Sequence, residues 1–202
     1  TSYIIQNADC GVKLEKKVLY LGVEIDSFSQ IERERLRNIV FVGSLTKRKR
    51  VGEVLQLAEK FPDITFYIIG DGVCRDALQV MAPNNVIFLG QLNQKELAFR
   101  LNEMDLLFLP SKSEGFPKVI LEAAASGVPS LVYCDYGASE WITDMENGFL
   151  INNFEESIEC IRGLLSDPNL LIKNSRGAIL MAKKFDWKIV VRDWEKVILN
   201  LR

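Results

Sequence analysis

Six short apolar runs, spaced by helical stretches, constrain this chain more than any other feature. From Asn38 onward they read IVFVG, TFYIIG, VIFLG, DLLFLP, PSLVY and GFLI. The runs are continuous rather than alternating, which is the pattern of strands buried on both faces of a parallel sheet. Between the first two, Val51, Val54, Leu55 and Ala58 recur at 0, +3, +4 and +7 and predict a helix. Asn93 three residues ahead of Glu96, and Asn153 three ahead of Glu156, supply start signals for two more. Strands separated by helices predict an α/β fold, a doubly wound parallel sheet of about six strands. With 202 residues, 48% of them hydrophobic, the chain can bury one substantial core. Residues 38–202 contain no repeat and no Pro/Gly-rich linker, and read as one domain.

Residues 1–37 read differently. TSYIIQ and KVLYLGVEI are short apolar pieces separated by NADCGVKLEK, and SFSQIERERLRN is a polar connection. They fit either the tail of a further domain plus a linker, or an edge hairpin of the same domain.

Charge and residue usage exclude several classes of function. Twenty-five basic residues against 27 acidic ones give a net charge of −2, so no global field recruits nucleic acid. With no histidine, a His-based triad or a His-ligated metal is excluded within this chain. Cys10, Cys74, Cys134 and Cys160 fall in no C-x-x-C or zinc-like spacing, as expected of free thiols in a reducing compartment. No signal peptide and no apolar run of about 18 residues is visible. The expectation is a cytoplasmic chain without a transmembrane segment, or one peripheral to the inner face of a membrane in its full length.

The stretch SKSEGFPKVILEAAASGVP, Ser111 to Pro129, carries the chemistry. Glu114 and Glu122 stand on either side of a Gly115-Phe116-Pro117 turn that opens a helix. Pro117 suits the first helical position, where its missing N–H removes no bond. The free amides of Lys118, Val119 and Ile120, with the positive end of the helix dipole, would then face an anion such as phosphate. Glu122 sits among Val119, Ile120, Leu121 and three alanines, so its carboxylate needs donors. A ribose diol or an Arg or Lys partner would each satisfy it. Gly127 and Pro129 are structural, glycine ending the helix and proline stopping its continuation.

E-G-F-P-K-V-I-L-E followed by A-A-A-S-G-V-P resembles the E-x7-E signature of the retaining glycosyltransferases of family 4, also called group 1. The likeness runs in order through FVGSLTKRKR, IIGDG, VIFLG, DLLFLPSKSEGFPKVILEAAASGVP, GASEWI and NGFLI to FDWKIVVRDWEKVI, about four fifths of the chain. It implies the Rossmann-like C-terminal, donor-binding half of a GT-B enzyme, used in polysaccharide biosynthesis. The first 37 residues are then the tail of a missing N-terminal acceptor domain and its linker. The partners implied are a nucleoside diphosphate sugar as substrate, with no cofactor and no metal, and a glycan or lipid-linked acceptor.

The resemblance also assigns residues. Gly43 and Ser44 follow the first strand, and the family commonly has an Arg at the Ser44 position and a Lys at Lys49 to hold the diphosphate. Ser44 departs from that clamp, so either Arg48 or Arg50 would have to reach in or the leaving group is held more weakly; a basic run of this kind is otherwise a solvated face. Gly70 and Gly72 end the second strand, where relatives bring backbone close to the nucleotide, although a G-D-G turn is by itself only a tight turn. Gly90, Gln91 and Leu92 match a loop bordering the nucleobase. Gly137, Ala138, Ser139 and Glu140 resemble a loop near the cleft, or simply start the next helix. Gly115, Phe116, Pro117, Lys118 and Val119 would bind the donor beside Glu122 on the ribose. Glu114 and Lys49 are the catalytic assignments, Glu114 on the transferred sugar and Lys49 on the departing diphosphate. A glycosidase pair is the other reading of two carboxylates, set aside because Glu122 lies on an apolar helix face. A GT-B-like epimerase and a non-catalytic nucleotide-sugar binder remain as alternatives.

The last helix places Trp187, Val190, Val191, Trp194, Val197 and Ile198 on one stripe. It reads as core first, and otherwise as a partner surface.

Overall fold

A computed structural model describes residues 19–115 and 117–200. Phe116, Cys10 and the first 18 residues of the N-terminal segment lie outside the described residues. Six strands form one parallel sheet: β1 (Asn38–Val42), β2 (Thr65–Ile69), β3 (Val86–Gly90), β4 (Leu106–Leu109), β5 (Ser130–Tyr133) and β6 (Gly148–Ile151). Their order is β3-β2-β1-β4-β5-β6. All six expected runs are strands, and β4 and β5 are buried at every residue. The described residues also form seven helices: α1 (Val51–Lys60), α2 (Arg75–Met81), α3 (Gln94–Leu101), α4 (Lys118–Ala125), α5 (Phe154–Ser166), α6 (Pro168–Lys184) and α7 (Trp187–Asn200). The alternation has one break, since only a three-residue 3-10 turn, Ala138–Glu140, lies between β5 and β6.

The caps follow the side chains. The Asn93 carboxamide accepts from the amides of Lys95 and Glu96, both at 3.0 Å, while the Glu96 carboxylate accepts from the Asn93 amide at 2.8 Å. Asn153 accepts from the Glu156 amide at 2.9 Å in the same way. These bonds satisfy donors that a helix start otherwise leaves open.

Residues 19–37 hold no strand and lie against the sheet domain. Val23, Ile25, Phe28 and Leu36 are buried, and Val23 exchanges backbone bonds with Phe185 and Trp187 at the head of α7. The polar connection hides a charge: Arg33 is 6% exposed. Its guanidinium donates to the carbonyls of Asn102 at 2.6 Å, Leu101 at 3.2 Å and Ser126 at 2.7 Å. It thus braces the C-terminal ends of α3 and α4, where carbonyls lack helical partners and a cation complements the dipole. Beside it, a Cβ on Gly127 would collide with the Ile31 carbonyl, and its φ of +78° is the expected left-handed helix stop. Replacing Arg33 with Met takes the guanidinium from three carbonyls, leaving Leu101 only its bond from the Met104 amide, and is expected to cost about 3–5 kcal/mol. Urea unfolding would read this, and a loss under about 1 kcal/mol would show that the guanidinium is no brace.

The terminal stripe is mostly not core. On α7 Val190 is buried, Trp194 and Val197 are half-buried, and Trp187, Val191 and Ile198 are exposed. Helix α7 is the last described element, and its Trp194 indole donates to the Tyr20 carbonyl at 2.9 Å.

Candidate functional site

In an open parallel sheet the ligand crevice lies at the carboxyl ends of the strands, where neighbouring strands send their connections to opposite sides. Here that point falls between β1 and β4, which pair directly, Ile39 opposite Leu106. The loop after β1 runs through Gly43 and Ser44 to a 3-10 turn at Lys47–Lys49, then to Arg50 in the left-handed region at φ 49°, and into α1. The loop after β4 runs from Ser111 through Gly115 toward α4.

The two loops are joined. The Lys112 amide donates to the Arg48 carbonyl at 3.0 Å, and the Arg48 guanidinium donates to the Ser113 carbonyl. The Lys49 ammonium donates to the Glu114 carboxylate, with Arg48 3.9 Å from the other oxygen. The Lys49 and Glu114 side chains are only 12% and 9% exposed, so this pair is shielded from solvent and stronger than a surface bridge. Of the two arginines that could replace the clamp residue at Ser44, Arg48 is at the cleft. Arg50 turns away, stacking over the Tyr133 ring at 5.0 Å and standing 3.9 Å from Glu53, whose carboxylate accepts from the Tyr133 hydroxyl at 2.8 Å.

Helix α4 opens one residue later than expected. Pro117 has ψ 102° and caps the helix from an extended conformation, so Lys118, not Pro117, is the first helical residue. The Pro117 carbonyl already accepts from Ile120 at 3.0 Å. That removes Ile120 from the free donors and leaves the amides of Lys118 and Val119, which have no acceptor within the helix. Glu122 is 7% exposed, and the half-exposed Lys118 ammonium stands 3.5 Å from it. The Lys partner is therefore present, in the one-turn spacing that places i and i+4 side by side.

The glycines after β2 have a packing reason of their own. A Cβ on Gly70 would strike the Gly43 carbonyl, and one on Gly72 would strike the backbone of Leu45. Backbone bonds Gly43 to Ile69 and Leu45 to Asp71, both 2.9 Å, bind the loops after β1 and β2 together, and Gly70 donates to the Gly90 carbonyl at 2.7 Å. Gly43, Gly70, Gly72 and Gly90 are thus one contiguous rim. Gln91 is exposed and Leu92 half-buried beyond β3, the edge strand. Ser139 and Glu140 belong to the 3-10 turn, and Glu140 accepts from the Tyr20 hydroxyl at 3.4 Å.

Two hydroxyls at this rim escaped the sequence reading. Ser111 Oγ at the end of β4 and Tyr136 Oη just past β5 are fully buried and have no hydrogen-bond partner among the described residues. Ser111 and Tyr136 each follow an apolar run by two or three residues, a position that marks the rim but not the burial. Among the described residues no cluster of three Cys, Asp or Glu side chains is placed to hold a metal ion. No helix among them is long and apolar enough to cross a membrane.

Strand order and the crevice at the β1–β4 divide define the class, a Rossmann-like α/β domain of GT-B type. The chain belongs to the group 1 glycosyltransferases: residues 23–179 match that family, Glycosyl transferases group 1. It is similar to a GDP-mannose-dependent alpha-mannosyltransferase of Mycolicibacterium smegmatis, 32% identical over 87% of this chain and 47% of the relative. Its fold matches HepE of Anabaena, solved in complex with UDP and glucose, with a TM-score of 0.80 at 20% identity over 91% of this chain and 57% of that one. It also matches the C-terminal domain of the group 1 glycosyltransferase LpcC of Francisella tularensis, with a TM-score of 0.70 at 23% identity over 82% of this chain and all of that one. The chain spans about half the length of the curated relatives it matches.

Proposed function

We propose that this chain is the donor-binding half of a retaining glycosyltransferase, which moves a sugar from a nucleoside diphosphate sugar to an acceptor hydroxyl without a metal ion. The observation that carries the reading is the convergence of Lys49 and Arg48 on Glu114 at the mouth of the crevice, beside the start of α4. Departure of a nucleoside diphosphate builds charge on its phosphate oxygens, and fixed donors aimed there lower the barrier. Lys49, Arg48 and the amides of Lys118 and Val119 are those donors. Gly43, Ser44, Gly70, Gly72 and Gly90 form the floor along the nucleotide, with Gln91 and Leu92 toward the base and Gly115, Phe116 and Pro117 over the sugar. Glu122 takes the ribose diol in place of the half-exposed Lys118 ammonium, the diol hydroxyls supplying the donors that its buried carboxylate needs. Glu114 takes hydroxyls of the transferred sugar. Residues 38–202 are the donor domain, and residues 1–37 end an acceptor domain and link it. The whole enzyme works on the cytoplasmic side, in solution or against the inner membrane face. The relative is named for GDP-mannose and the fold match is solved with UDP, so both bases belong in the test.

Calorimetry with UDP, GDP and ADP tests this. One of the three is expected to bind in EDTA, and Glu122→Ala is expected to weaken it by about 10- to 100-fold, the worth of hydrogen bonds to a charged group. Binding that waits for Mg²⁺ or Mn²⁺ would overturn the metal-free reading.

A further inference from the structure

We infer that Arg50, Glu53 and Tyr133 are positioning residues for Lys49: they tie the turn that carries it to the end of β5, so that its ammonium stays aimed into the crevice when a diphosphate replaces Glu114. The inference rests on the function proposed above. Lys49 and Arg50 are neighbours in the chain whose side chains are held by different elements. Lys49 donates to Glu114 in the loop after β4, and Arg50 lies over the ring of Tyr133, the last residue of β5.

Local structure does not explain an arginine at position 50. It stands at the N-cap of α1, yet its side chain makes no capping bond, and its φ of 49° and ψ of 38° lie in the left-handed region that disfavours a residue with a Cβ. A cation at a helix N-terminus also opposes the dipole. Glycine would suit that backbone better. What arginine adds is a tether. Its guanidinium carbon sits 5.0 Å from the centre of the Tyr133 ring, and its Nε 3.9 Å from Glu53, whose other carboxylate oxygen accepts from the Tyr133 hydroxyl at 2.8 Å. Tyr133 is 2% exposed, so the anchor is fixed in the sheet.

The tether reaches Lys49 through the backbone. The Lys49 amide donates to the Thr46 carbonyl at 3.0 Å, the Arg50 amide to the Lys47 carbonyl at 3.2 Å and the Glu53 amide to the Arg50 carbonyl at 2.9 Å. One hydrogen-bonded turn thus joins Lys49 to the start of α1. The bonds from Lys112 to Arg48 and from Arg48 to Ser113 tie this turn to the loop that carries Glu114, whereas the Tyr133 anchor belongs to another strand and survives the opening of the Lys49–Glu114 bridge. Strain kept in a residue beside a ligand-binding side chain, and held there by three partners, is what a pre-organised site requires.

A double-mutant cycle in the full-length protein tests this by calorimetry, using whichever of UDP, GDP or ADP binds most tightly. Arg50→Gly relaxes the backbone and removes the tether. It is expected to weaken that ligand about fivefold in the native background and by less than about twofold beside Lys49→Met, where no ammonium is left to aim. No loss in the native background would overturn the inference, and so would equal losses in both, which would make Arg50 a ligand or a general brace. Lys49→Met alone separates the two readings. If it leaves nucleotide binding intact, the proposed function fails and this inference with it; if it weakens binding while the cycle is additive, the inference fails alone. Should Arg50→Gly unfold, Tyr133→Phe takes its place in the cycle, keeping the ring but releasing Glu53. About a threefold loss is then expected beside native Lys49 and none beside Lys49→Met, and losses that are equal or absent in both backgrounds would overturn the assignment.

Discussion

Lys49→Met in the full-length enzyme is expected to lower kcat for sugar transfer by about 10²- to 10³-fold, the usual cost of removing one fixed donor from a developing anion. Nucleoside diphosphate affinity should fall with it. Glu114→Gln is the informative contrast. It should stop transfer to a similar degree, because the sugar loses its carboxylate, yet leave diphosphate affinity unchanged or raise it. The reason is the ion pair: Glu114 holds Lys49, and a ligand that wants the ammonium must first break that bridge. Neutralising Glu114 removes the competitor. Steady-state kinetics beside calorimetry on both variants would show the split, and parallel losses of affinity would reduce the pair to a brace between two loops.

The same pair shows where sequence reading stops. The strands were legible because a parallel strand buried on both faces leaves a continuous apolar run, as LLFL and SLVY do at β4 and β5. The Asn93 cap was legible because its partners lie two and three residues away. Lys49 and Glu114 are 65 positions apart, and neither local pattern nor spacing states that two loops will meet. A resemblance could name both residues as ligands of one substrate, but not that they pair with each other. Arg33 was invisible for a related reason. In SFSQIERERLRN it looks like one more solvated charge, and only the folded chain brings the carbonyl ends of α3 and α4 around it. The helix start at Lys118 rather than Pro117 turns on a single ψ, which proline leaves free while fixing φ. The terminal stripe misled because periodicity reports an apolar face and not what covers it.

That uncovered face leads to the largest expected effect. The 202-residue chain is expected to bind a nucleoside diphosphate and to transfer no sugar, whatever acceptor is offered. Holding an acceptor hydroxyl in near-attack geometry against the anomeric carbon supplies roughly 7–11 kcal/mol of a two-substrate barrier. The crevice between β1 and β4 has the groups for a donor: two cations, the start of α4 and two carboxylates. The chain spans only about half the length of its curated relatives. With no histidine in the sequence, the most common proton-transfer side chain is also absent from this chain. The test incubates the purified chain with labelled UDP- and GDP-sugars and with glycan and lipid-linked acceptors, then repeats the assay with the proposed acceptor domain joined to it. Transfer confined to the joined protein is the expected result. Robust transfer by the short chain would mean that the acceptor is held by groups of this domain, and the exposed residues of α7, Trp187, Val191 and Ile198, would be the first surface to mutate in search of them.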